Sequence, residues 1–476
     1  MIRGRVEPYM TLEEILEVTG GRLVSGIPEG VPSGVSTDTR TILPGQLFVA
    51  LKGERYDGHD FLSTALAKGA WGALVSSQKG KGTLRTEGSK AILIEVEDTL
   101  EALGDLAKAW RGRHQAVVVG VTGSNGKTTT KEMLASVLET SRRVLKNRGN
   151  LNNRVGLPLT LLELRPYHRV AVLEMGMSEP GEMKRLCDIA RPQVGLITQV
   201  APAHLQGVGS IEGVAREKGE LFSSLGPTGT ALVNLDDPWV VRLARACNAR
   251  KVSYGLSPGA IVRAADVEPY HPEGARLRLE LGGQSLEVRL RGQGTPLVRA
   301  ALAAAAGAWT LGSTAPEIRE GLEAFEPFAG RLKSMSLPWG GTLIDDTYNA
   351  NPSSMAAALE LLCRGGGGRI VAVLGEMREL GPVAPWAHRE LGRMASQLGV
   401  QVLVAVGCWA PQVVQGAQDG SGETPKVVKV AKDCDEAIRI LEEILTPEDR
   451  VLVKGSRAAA MERVVQALMH RRAEAS

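Results

Sequence analysis

The fold is decided by residues 117–130, which read VVVGVTGSNGKTTT. The apolar run Val117–Val121 predicts a buried strand, and it leads through Gly123 and Gly126 into a Lys-Thr pair that opens a helical pattern. Glycines let backbone N–H groups turn inward around phosphate oxygens, and a helix N-terminus adds partial positive charge. The stretch therefore predicts a nucleoside triphosphate site on a parallel sheet.

The loop after this strand supplies the candidate nucleotide contacts. Lys127 has the reach for the outer phosphates, and the Thr128 hydroxyl is a suitable Mg²⁺ ligand. The spacing departs from G-x-x-x-x-G-K-[ST], because residue 121 is valine and the first loop glycine is residue 123. The predicted nucleotide-binding residues here are Gly123, Ser124, Asn125, Gly126, Lys127, Thr128 and Thr129.

Apolar runs alternate with helical patterns on both sides of this loop, which predicts an α/β protein with parallel sheets. Further runs in the central region lie at 170–173, 194–198 and 231–234, and an alanine-rich helix is predicted over Arg299–Leu311. Alternation around Gly282-Gly283 predicts a β-hairpin. Later apolar runs predict a second doubly wound sheet, at 342–344, 370–374, 402–406, 427–430 and 451–453.

These patterns of apolar runs and helices divide the chain into three regions. Residues 1–112 carry short strand-like runs at 47–51, 73–76 and 91–96 and a helix from 99 to 111. We predict that this is one domain, followed by a central nucleotide-binding domain over 113–313 and a C-terminal Rossmann-like domain over 314–476. A chain of 476 residues fits this division, since domains usually have about 100–200 residues.

Composition excludes several function classes. Lys and Arg total 56 against 53 Asp and Glu, so the net charge of +3 argues against a nucleic-acid coat or a polybasic anchor. Aromatic residues make up only 4%, which also disfavours a base-stacking surface. The five cysteines form no C-x-x-C pair, and neither a signal peptide nor a membrane span is found. We expect a cytoplasmic monomer that binds neither nucleic acid nor membrane.

Other candidate groups lie near predicted strand ends. Glu174 follows the run at 170–173, where a Mg²⁺ ligand beside a phosphate loop is needed. His204 follows the run at 194–198, and a lone histidine is more often structural. Lys218 by spacing alone is a solvated helix lysine.

The third region has a polar cluster directly after a strand. Residues 344–352 read IDDTYNANP, with two carboxylates, a phenol and two amides, a composition typical of a ligand site. An Asn-Pro turn capping the next helix is the alternative interpretation. Residues 453–457, VKGSR, likewise end a strand with donor groups, and Arg331 follows the Gly312-Ser313 hinge.

Taken in order, these segments resemble the Mur ligase family over nearly the whole chain. The resemblance rests on the phosphate loop, on DDTYNANPSSM at 345–355, and on LGEMRELG at 374–381 followed by His388. It also rests on STDTR at 36–40, PGQLFVALKG at 44–53 and DGHDF at 57–61. A series of this length in this order is highly specific.

The resemblance implies three domains: one for the UDP end of the substrate, a central P-loop ATPase and a Rossmann-like lid. It implies ATP-dependent amide formation, with UDP-N-acetylmuramoyl-tripeptide and D-alanyl-D-alanine as substrates. An unactivated carboxylate does not acylate an amine, because oxide is a poor leaving group. Phosphorylation by ATP supplies the leaving group. Catalysis then depends on placing the reacting groups and on neutralising the phosphate charge.

The resemblance also implies roles for single residues. Lys127 holds the β- and γ-phosphates, and Thr128 and Glu174 bind the Mg²⁺ shared with ATP. His204 binds a second Mg²⁺, supported by Lys218 as a carbamylated lysine. Arg331 reaches the γ-phosphate, and Asp346 reaches the ribose. The implied substrate contacts are Asp38, Thr39, Arg40, Asn150, Asn152, Asn153, Asn349, Asn351, Lys454 and Ser456.

One segment departs from the family pattern. Where a Gly-x-His-Asn sequence is usual before the alanine-rich helix, this chain reads GTPLVRA at 294–300. The asparagine associated with adenine is missing, so the resemblance does not supply the base contacts.

Two other interpretations compete. A sister ligase of the folylpolyglutamate or cyanophycin type shares the loop but not the 36–40 and 345–352 segments. A nucleotide switch or motor would hydrolyse ATP with no amine acceptor, and it leaves Glu174, His204 and Lys218 without a role. A pure scaffold is disfavoured by the complete phosphate loop.

Overall fold

The chain builds three β-sheets, each flanked by helices, in a computed structural model. It describes residues 9–27, 29–77, 92–203, 205–270, 274–292, 294–364, 367–420 and 425–470. The predicted α/β class with mainly parallel sheets is confirmed. Within these ranges no helix has both the length and the apolar character that crossing a bilayer requires.

The first sheet has five strands in the order β1-β5-β4-β3-β2, and only the β1–β5 pair is antiparallel. The predicted strands and the helix before residue 112 are confirmed, although residue 91 lies outside the described ranges. The elements are α1 Leu12–Thr19, β1 Arg22–Ser25, β2 Val35–Ser36, β3 Leu47–Val49, α2 Leu62–Ala67, β4 Gly72–Ser76, β5 Ile92–Val96 and α3 Thr99–Gly112.

The central sheet has nine strands in the order β14-β13-β12-β11-β10-β9-β6-β8-β7, and its last three strands in sequence form an antiparallel extension. Its strands are β6 Val117–Thr122, β7 Val144–Lys146, β8 Val170–Glu174, β9 Val194–Ile197, β10 Thr230–Asn234, β11 Arg250–Gly255, β12 Val262–Tyr270, β13 Gly274–Leu281 and β14 Gln284–Arg291. The helices are α4 Lys127–Glu139, α5 Gly156–Leu161, α6 Glu182–Ala190, α7 Leu205–Val208, α8 Ile211–Ser223, α9 Pro238–Arg245, α10 Thr295–Thr310 and α11 Ala315–Ala324.

Two sequence predictions about this sheet can be compared with the structure. The hairpin at Gly282-Gly283 is confirmed, because both glycines have positive φ, 53° and 97°, between β13 and β14. The alanine-rich helix begins at Thr295 rather than at Arg299. Pro296 in its first turn extends the helix, because proline lacks an N–H that this turn leaves unpaired in any case.

The third sheet has six strands in the order β15-β16-β20-β17-β18-β19, with only β15 antiparallel. All five predicted strands are confirmed. The elements are β15 Lys333–Ser336, β16 Thr342–Asp346, α12 Pro352–Arg364, β17 Ile370–Leu374, α13 Ala384–Gln397, β18 Val402–Val406, α14 Ala410–Asp419, β19 Val427–Ala431, α15 Cys434–Ile444, β20 Arg450–Lys454 and α16 Glu462–His470.

A continuous apolar core joins the first sheet to the central one through α3. Leu103 and Leu106 of this helix belong to the same cluster as Leu157 of α5 and Leu186 of α6. The Trp110 indole is buried and donates a hydrogen bond to the Leu164 carbonyl at 3.2 Å. The division at 112/113 and 313/314 stays a prediction, and α3 packs on both sides of the first boundary.

Helices α13 and α14 contact each other backbone to backbone through two glycines. A Cβ atom at Gly416 would lie 1.7 Å from the Arg389 carbonyl oxygen, and one at Gly392 would lie 1.8 Å from the Val413 carbonyl oxygen. Both distances are far shorter than a contact between a carbon and an oxygen that are not bonded to each other. The two helices would therefore have to move apart to accept a side chain at either position.

We expect Gly416→Ala to lower the free energy of unfolding by about 3 kcal/mol, the upper part of the usual range for overpacking. The change is measured as a lower urea midpoint followed by circular dichroism. Gln418→Ala, an exposed change on the same helix, is the matched control. An unchanged midpoint for Gly416→Ala would contradict the close approach of the two helices.

Candidate active site

A cavity of about 800 Å³ lies where the carboxyl ends of the central strands face those of the third sheet. Ligands of open α/β sheets bind at this edge, outside the strand ends. Most of the predicted site residues line this cavity: Ser124, Asn125, Gly126, Lys127, Thr128, Thr129, Asn150, Asn152, Asn153, Glu174, Arg331, Asp346, Asn349, Asn351 and Lys454.

The phosphate loop is held tightly against the neighbouring strand end. Gly123 has φ 147°, and a Cβ there would lie 1.9 Å from Thr198 Oγ1. The Thr198 hydroxyl in turn contacts the Asn125 carbonyl at 2.5 Å. Gly126, with φ 78°, is the N-cap of α4. The two glycines are therefore required by a close approach and by a left-handed turn, as the sequence predicted for a loop that wraps phosphate.

Lys127 lies inside the loop that it follows. Its ammonium group donates a hydrogen bond to the Gly123 carbonyl at 2.7 Å. Burial lowers the pKa of Lys127, the Glu174 carboxylate opposes that shift, and the nearby Arg331 guanidinium adds to it. A polyanion in the cavity would reverse this balance, since negative charge favours the protonated amine.

Thr128 and Glu174 form the core of a candidate Mg²⁺ site. The Thr128 hydroxyl donates to Glu174 Oε2 at 2.7 Å, and Asn152 Nδ2 donates to Glu174 Oε1 at the same distance. Hydroxyl, carboxylate and amide oxygens are the hard ligands that Mg²⁺ prefers. Over the described ranges no three His, Cys, Asp or Glu side chains cluster as a metal group. Mg²⁺ bound by one or two protein oxygens commonly also binds substrate phosphate and water.

Asn147 holds the backbone of Glu174, and sequence reasoning missed it. It is fully buried, its Oδ1 accepts from the Glu174 N–H at 2.9 Å, and its Nδ2 donates to the Glu174 carbonyl at 2.9 Å. The buried Lys131 donates to the Asn147 carbonyl at 2.6 Å. The available signal was a polar residue directly after the short strand β7, the same signal that identified Glu174.

Lys218 on α8 is 1% exposed, not the solvated lysine that its spacing indicates. Burial lowers the pKa of Lys218 well below its usual range, the charge of Lys127 lowers it further, and the adjacent Glu217 opposes both. Lys218 does not line the cavity itself, although its charge acts on Lys127 beside it. His204 lies outside the described residues.

The third sheet contributes charged groups to the far wall. Arg331 Nη2 donates to the Thr128 hydroxyl at 2.9 Å, so this arginine crosses to the phosphate loop. Asp346 and Lys454 form an ion pair of 2.5 Å at adjacent strand ends. The Lys454 ammonium also donates to the Asn349 carbonyl at 2.9 Å.

The phosphate loop and helix α12 are joined directly. Asn351 Nδ2 donates to Asn125 Oδ1 at 2.7 Å, and Asn125 Nδ2 donates to Ser353 Oγ at 2.5 Å. Asn351 also caps α12, because its Oδ1 accepts from the Ser354 N–H at 3.0 Å. The helix-capping interpretation is therefore confirmed for Asn351, and its ligand role stays a prediction for a residue that lines the cavity.

Four predicted substrate residues lie away from the cavity lining. Asp38, Thr39 and Arg40 follow β2 in the first sheet, where Arg40 binds Asp38 with a shortest distance of 2.6 Å and lowers the pKa of its carboxyl. Ser456 is buried after β20, and its N–H donates to the Glu376 carbonyl at 2.8 Å. Its hydroxyl has no hydrogen-bond partner among the described residues.

Apolar side chains form one end of the cavity. Leu297 and Pro327 approach each other across Gly292, and Phe328, which packs edge-on to Phe325 at 5.9 Å, is 45% exposed. Pro296 and Leu297 occupy the segment that departs from the family pattern, and both line the cavity. The planar base of a nucleotide could make apolar contacts at this end, where the family pattern has an asparagine.

Comparisons with known proteins agree along the chain. Residues 32–111 match the catalytic domain of the Mur ligase family, residues 121–308 the Mur ligase middle domain, and residues 330–457 the Mur ligase glutamate ligase domain. The UDP-N-acetylmuramoyl-tripeptide–D-alanyl-D-alanine ligase of Escherichia coli K12 is 36% identical over 464 residues, with 96% of this chain and 98% of that protein covered.

Solved structures give the same result. A crystal structure of MurF from Acinetobacter baumannii superposes with a TM-score of 0.89 at 34% identity, covering 98% of this chain and 100% of that one. The MurF ligase of Thermotoga maritima in complex with ADP gives a TM-score of 0.80 at 29% identity, covering 92% and 97%. With matches of this extent in sequence and in fold, the chain belongs to the Mur ligase family.

Proposed function

We propose that the protein is an ATP-dependent amide ligase that joins D-alanyl-D-alanine to the terminal carboxylate of UDP-N-acetylmuramoyl-tripeptide in peptidoglycan precursor synthesis. The observation that carries this proposal is the contact of the Arg331 guanidinium with the Thr128 hydroxyl at 2.9 Å. Because of this contact, a single cavity contains both the phosphate loop and cationic groups from the third sheet. The relatives of known activity support the two substrates.

The reaction needs the carboxylate oxygen to attack the γ-phosphorus of ATP, releasing ADP and leaving an acyl phosphate. The dipeptide amine then attacks the acyl carbon, and phosphate leaves with the bonding electron pair while the amine proton passes to a base. Both steps develop negative charge on phosphate oxygens. Lys127 and Arg331 would supply positive charge at that position, held in place before the charge develops.

The nucleotide is proposed to lie along the cavity. Lys127 and the N–H groups of residues 123–129 hold the β- and γ-phosphates, and Arg331 faces the γ-phosphate. Asp346 reaches the ribose from the end of β16. The base then packs against Leu297, Pro327 and Phe328, which supports ATP binding without the missing asparagine.

Magnesium fits the oxygen ligands described above. Thr128 and Glu174 would hold the ion, with Asn152 orienting the carboxylate and Asn147 holding the Glu174 backbone. A bound Mg²⁺ would supply charge neutralisation for the phosphates. A second ion is proposed at His204 and a carbamylated Lys218.

Carbamylation is supported by the environment of Lys218. A buried ammonium without a strong anionic partner is costly, and the lowered pKa of Lys218 favours the neutral amine. Only the neutral amine adds to carbon dioxide, which gives an N-linked carboxylate and releases a proton. This anion would stand beside Lys127, turning a repulsive lysine pair into an attractive one.

The peptide substrates are proposed to approach from two sides. Asp38, Thr39 and Arg40 hold the uridine diphosphate end, with Asn150, Asn152 and Asn153 between that end and the phosphate loop. Asn349, Asn351, Lys454 and Ser456 lie toward the dipeptide. We propose that the monomer is the active form.

Phosphate release tests this function directly. With ATP and Mg²⁺, we expect release to require both UDP-N-acetylmuramoyl-tripeptide and D-alanyl-D-alanine, with a product heavier by the dipeptide. Release indifferent to both substrates would replace the proposal with a nucleotide switch. Release with another acid and amine, such as a folate and glutamate, would make the protein a sister ligase.

A further inference from the structure

The turn that carries Arg331 is fixed by the segment that follows β16. The Gly330 N–H donates to Asp345 Oδ2 at 2.7 Å, and the Gly330 carbonyl accepts from the Tyr348 N–H at 3.0 Å. On the other side of the arginine, the Leu332 N–H donates to Asp346 Oδ1 at 3.2 Å. The backbone on both sides of Arg331 is therefore tied to residues 345–348.

The turn also has an unusual backbone conformation. Gly330 has φ 76°, and Leu332 has φ 51°, a left-handed value that a leucine rarely adopts. A Cβ at Gly330 would lie 3.1 Å from the Tyr348 backbone nitrogen, so the two segments are in close contact. Backbone strain of this kind persists only where surrounding bonds hold it, and here those bonds direct one side chain.

The Arg331 side chain itself is held by a ring. Its guanidinium carbon lies 4.0 Å from the centroid of the Tyr348 ring, well inside the range of a cation–π contact. The far side of the guanidinium reaches the Thr128 hydroxyl. The guanidinium therefore lies between the ring face of Tyr348 and the phosphate loop.

We propose that Tyr348 is a positioning residue whose ring holds the Arg331 guanidinium against the phosphate loop, ready for the γ-phosphate. The proposal rests on the proposed function, since it assigns Tyr348 to phosphoryl transfer. An unsupported arginine side chain loses rotamer entropy when it is fixed. The ring reduces that loss before the nucleotide arrives, because the guanidinium is already in place.

A double-mutant cycle tests the proposal. Tyr348→Leu removes the ring face, and we expect kcat for amide formation to fall about 3- to 30-fold, the range that a cation–π contact implies. Tyr348→Phe keeps the ring and is expected within about twofold of the wild type. In an Arg331→Ala background, Tyr348→Leu is expected to cause no further loss, because the ring then has nothing to hold.

Two outcomes would overturn the proposal. One is a Tyr348→Leu loss of the same size with and without Arg331, which would mean that the ring acts elsewhere. The other is a Tyr348→Phe enzyme as slow as Tyr348→Leu, which would assign the role to the hydroxyl. Equal thermal midpoints for all variants separate either result from misfolding.

The wild-type reaction separates this proposal from the function on which it rests. If the wild type releases phosphate without joining the dipeptide, the proposed substrates are wrong. The four proteins of the cycle, which are the wild type, Tyr348→Leu, Arg331→Ala and the double variant, are then compared by their rates of phosphate release. Coupling between positions 331 and 348 still supports the positioning role, and additive effects still overturn it.

Discussion

Replacement of Lys127 by alanine is expected to lower the rate of amide formation by a factor of about 10³. The loss of one preorganised charged donor at a developing phosphate charge costs about 10²–10³ in rate, and Lys127 is the cation enclosed by the phosphate loop. The rate is measured as dipeptide-dependent phosphate release at saturating ATP.

The control for Lys127→Ala is Lys184→Ala, which removes an exposed lysine from α6 in the same central region. This variant is expected to keep the wild-type rate. Lys127→Ala is expected to fold normally, because its ammonium donates only to loop carbonyls. More than a tenth of the wild-type rate in Lys127→Ala would contradict the role given to this lysine.

The second large effect is expected at Lys218. Lys218→Ala removes both the amine and its carbamate, and we expect amide formation to fall about 100-fold or more, as for other groups that stabilise charge at the reacting centre. Wild-type protein prepared without carbon dioxide is expected to be slow at first and to regain its rate when bicarbonate is added. Lys218→Ala is expected to be indifferent to bicarbonate.

A direct readout of the carbamate is available. Protein incubated with ¹³C-bicarbonate is expected to give one protected carbamate resonance that is absent from Lys218→Ala. The control is Lys184→Ala, which removes an exposed lysine and keeps both Lys218 and Lys127. A resonance that persists in Lys218→Ala, or a rate that bicarbonate never changes, would contradict carbamylation at this residue.

The phosphate loop was predictable because its requirements are local. A buried strand, two glycines and a Lys-Thr pair follow one another within a short stretch. The strand–loop–helix geometry can therefore be predicted from this stretch alone. The doubly wound third sheet was predictable for the same reason, since each of its apolar runs forms a separate strand between helical patterns. Helix α10 was misplaced at its start, because the proline that opens it interrupts the apolar pattern.

The surroundings of the loop were harder to predict because they depend on contacts distant in sequence. Asn147 reaches Glu174 across 27 residues, and Asn125 meets Asn351 across 226. The two aspartates at 345 and 346 look equivalent in sequence, yet Asp345 is buried beneath the arginine turn while Asp346 faces the cavity. Alternation along the strand separates them, but only the packing decides which face is which.

Lys218 shows the limit of reasoning from residue type. A lysine on a helix is normally solvated, and only the packing of α8 against the sheet makes this one 1% exposed. The family resemblance selected the residue for a chemical reason that periodicity does not contain. Burial and the neighbouring Lys127 supply a physical reason independent of that resemblance.

Oxygen transfer tests the central claim most directly. The terminal carboxylate of the UDP-linked tripeptide is labelled with ¹⁸O at both oxygens and incubated with ATP, Mg²⁺ and D-alanyl-D-alanine. An acyl phosphate predicts one ¹⁸O in each phosphate released and one in the new amide carbonyl. If the amide forms and the released phosphate carries no ¹⁸O, the account is contradicted.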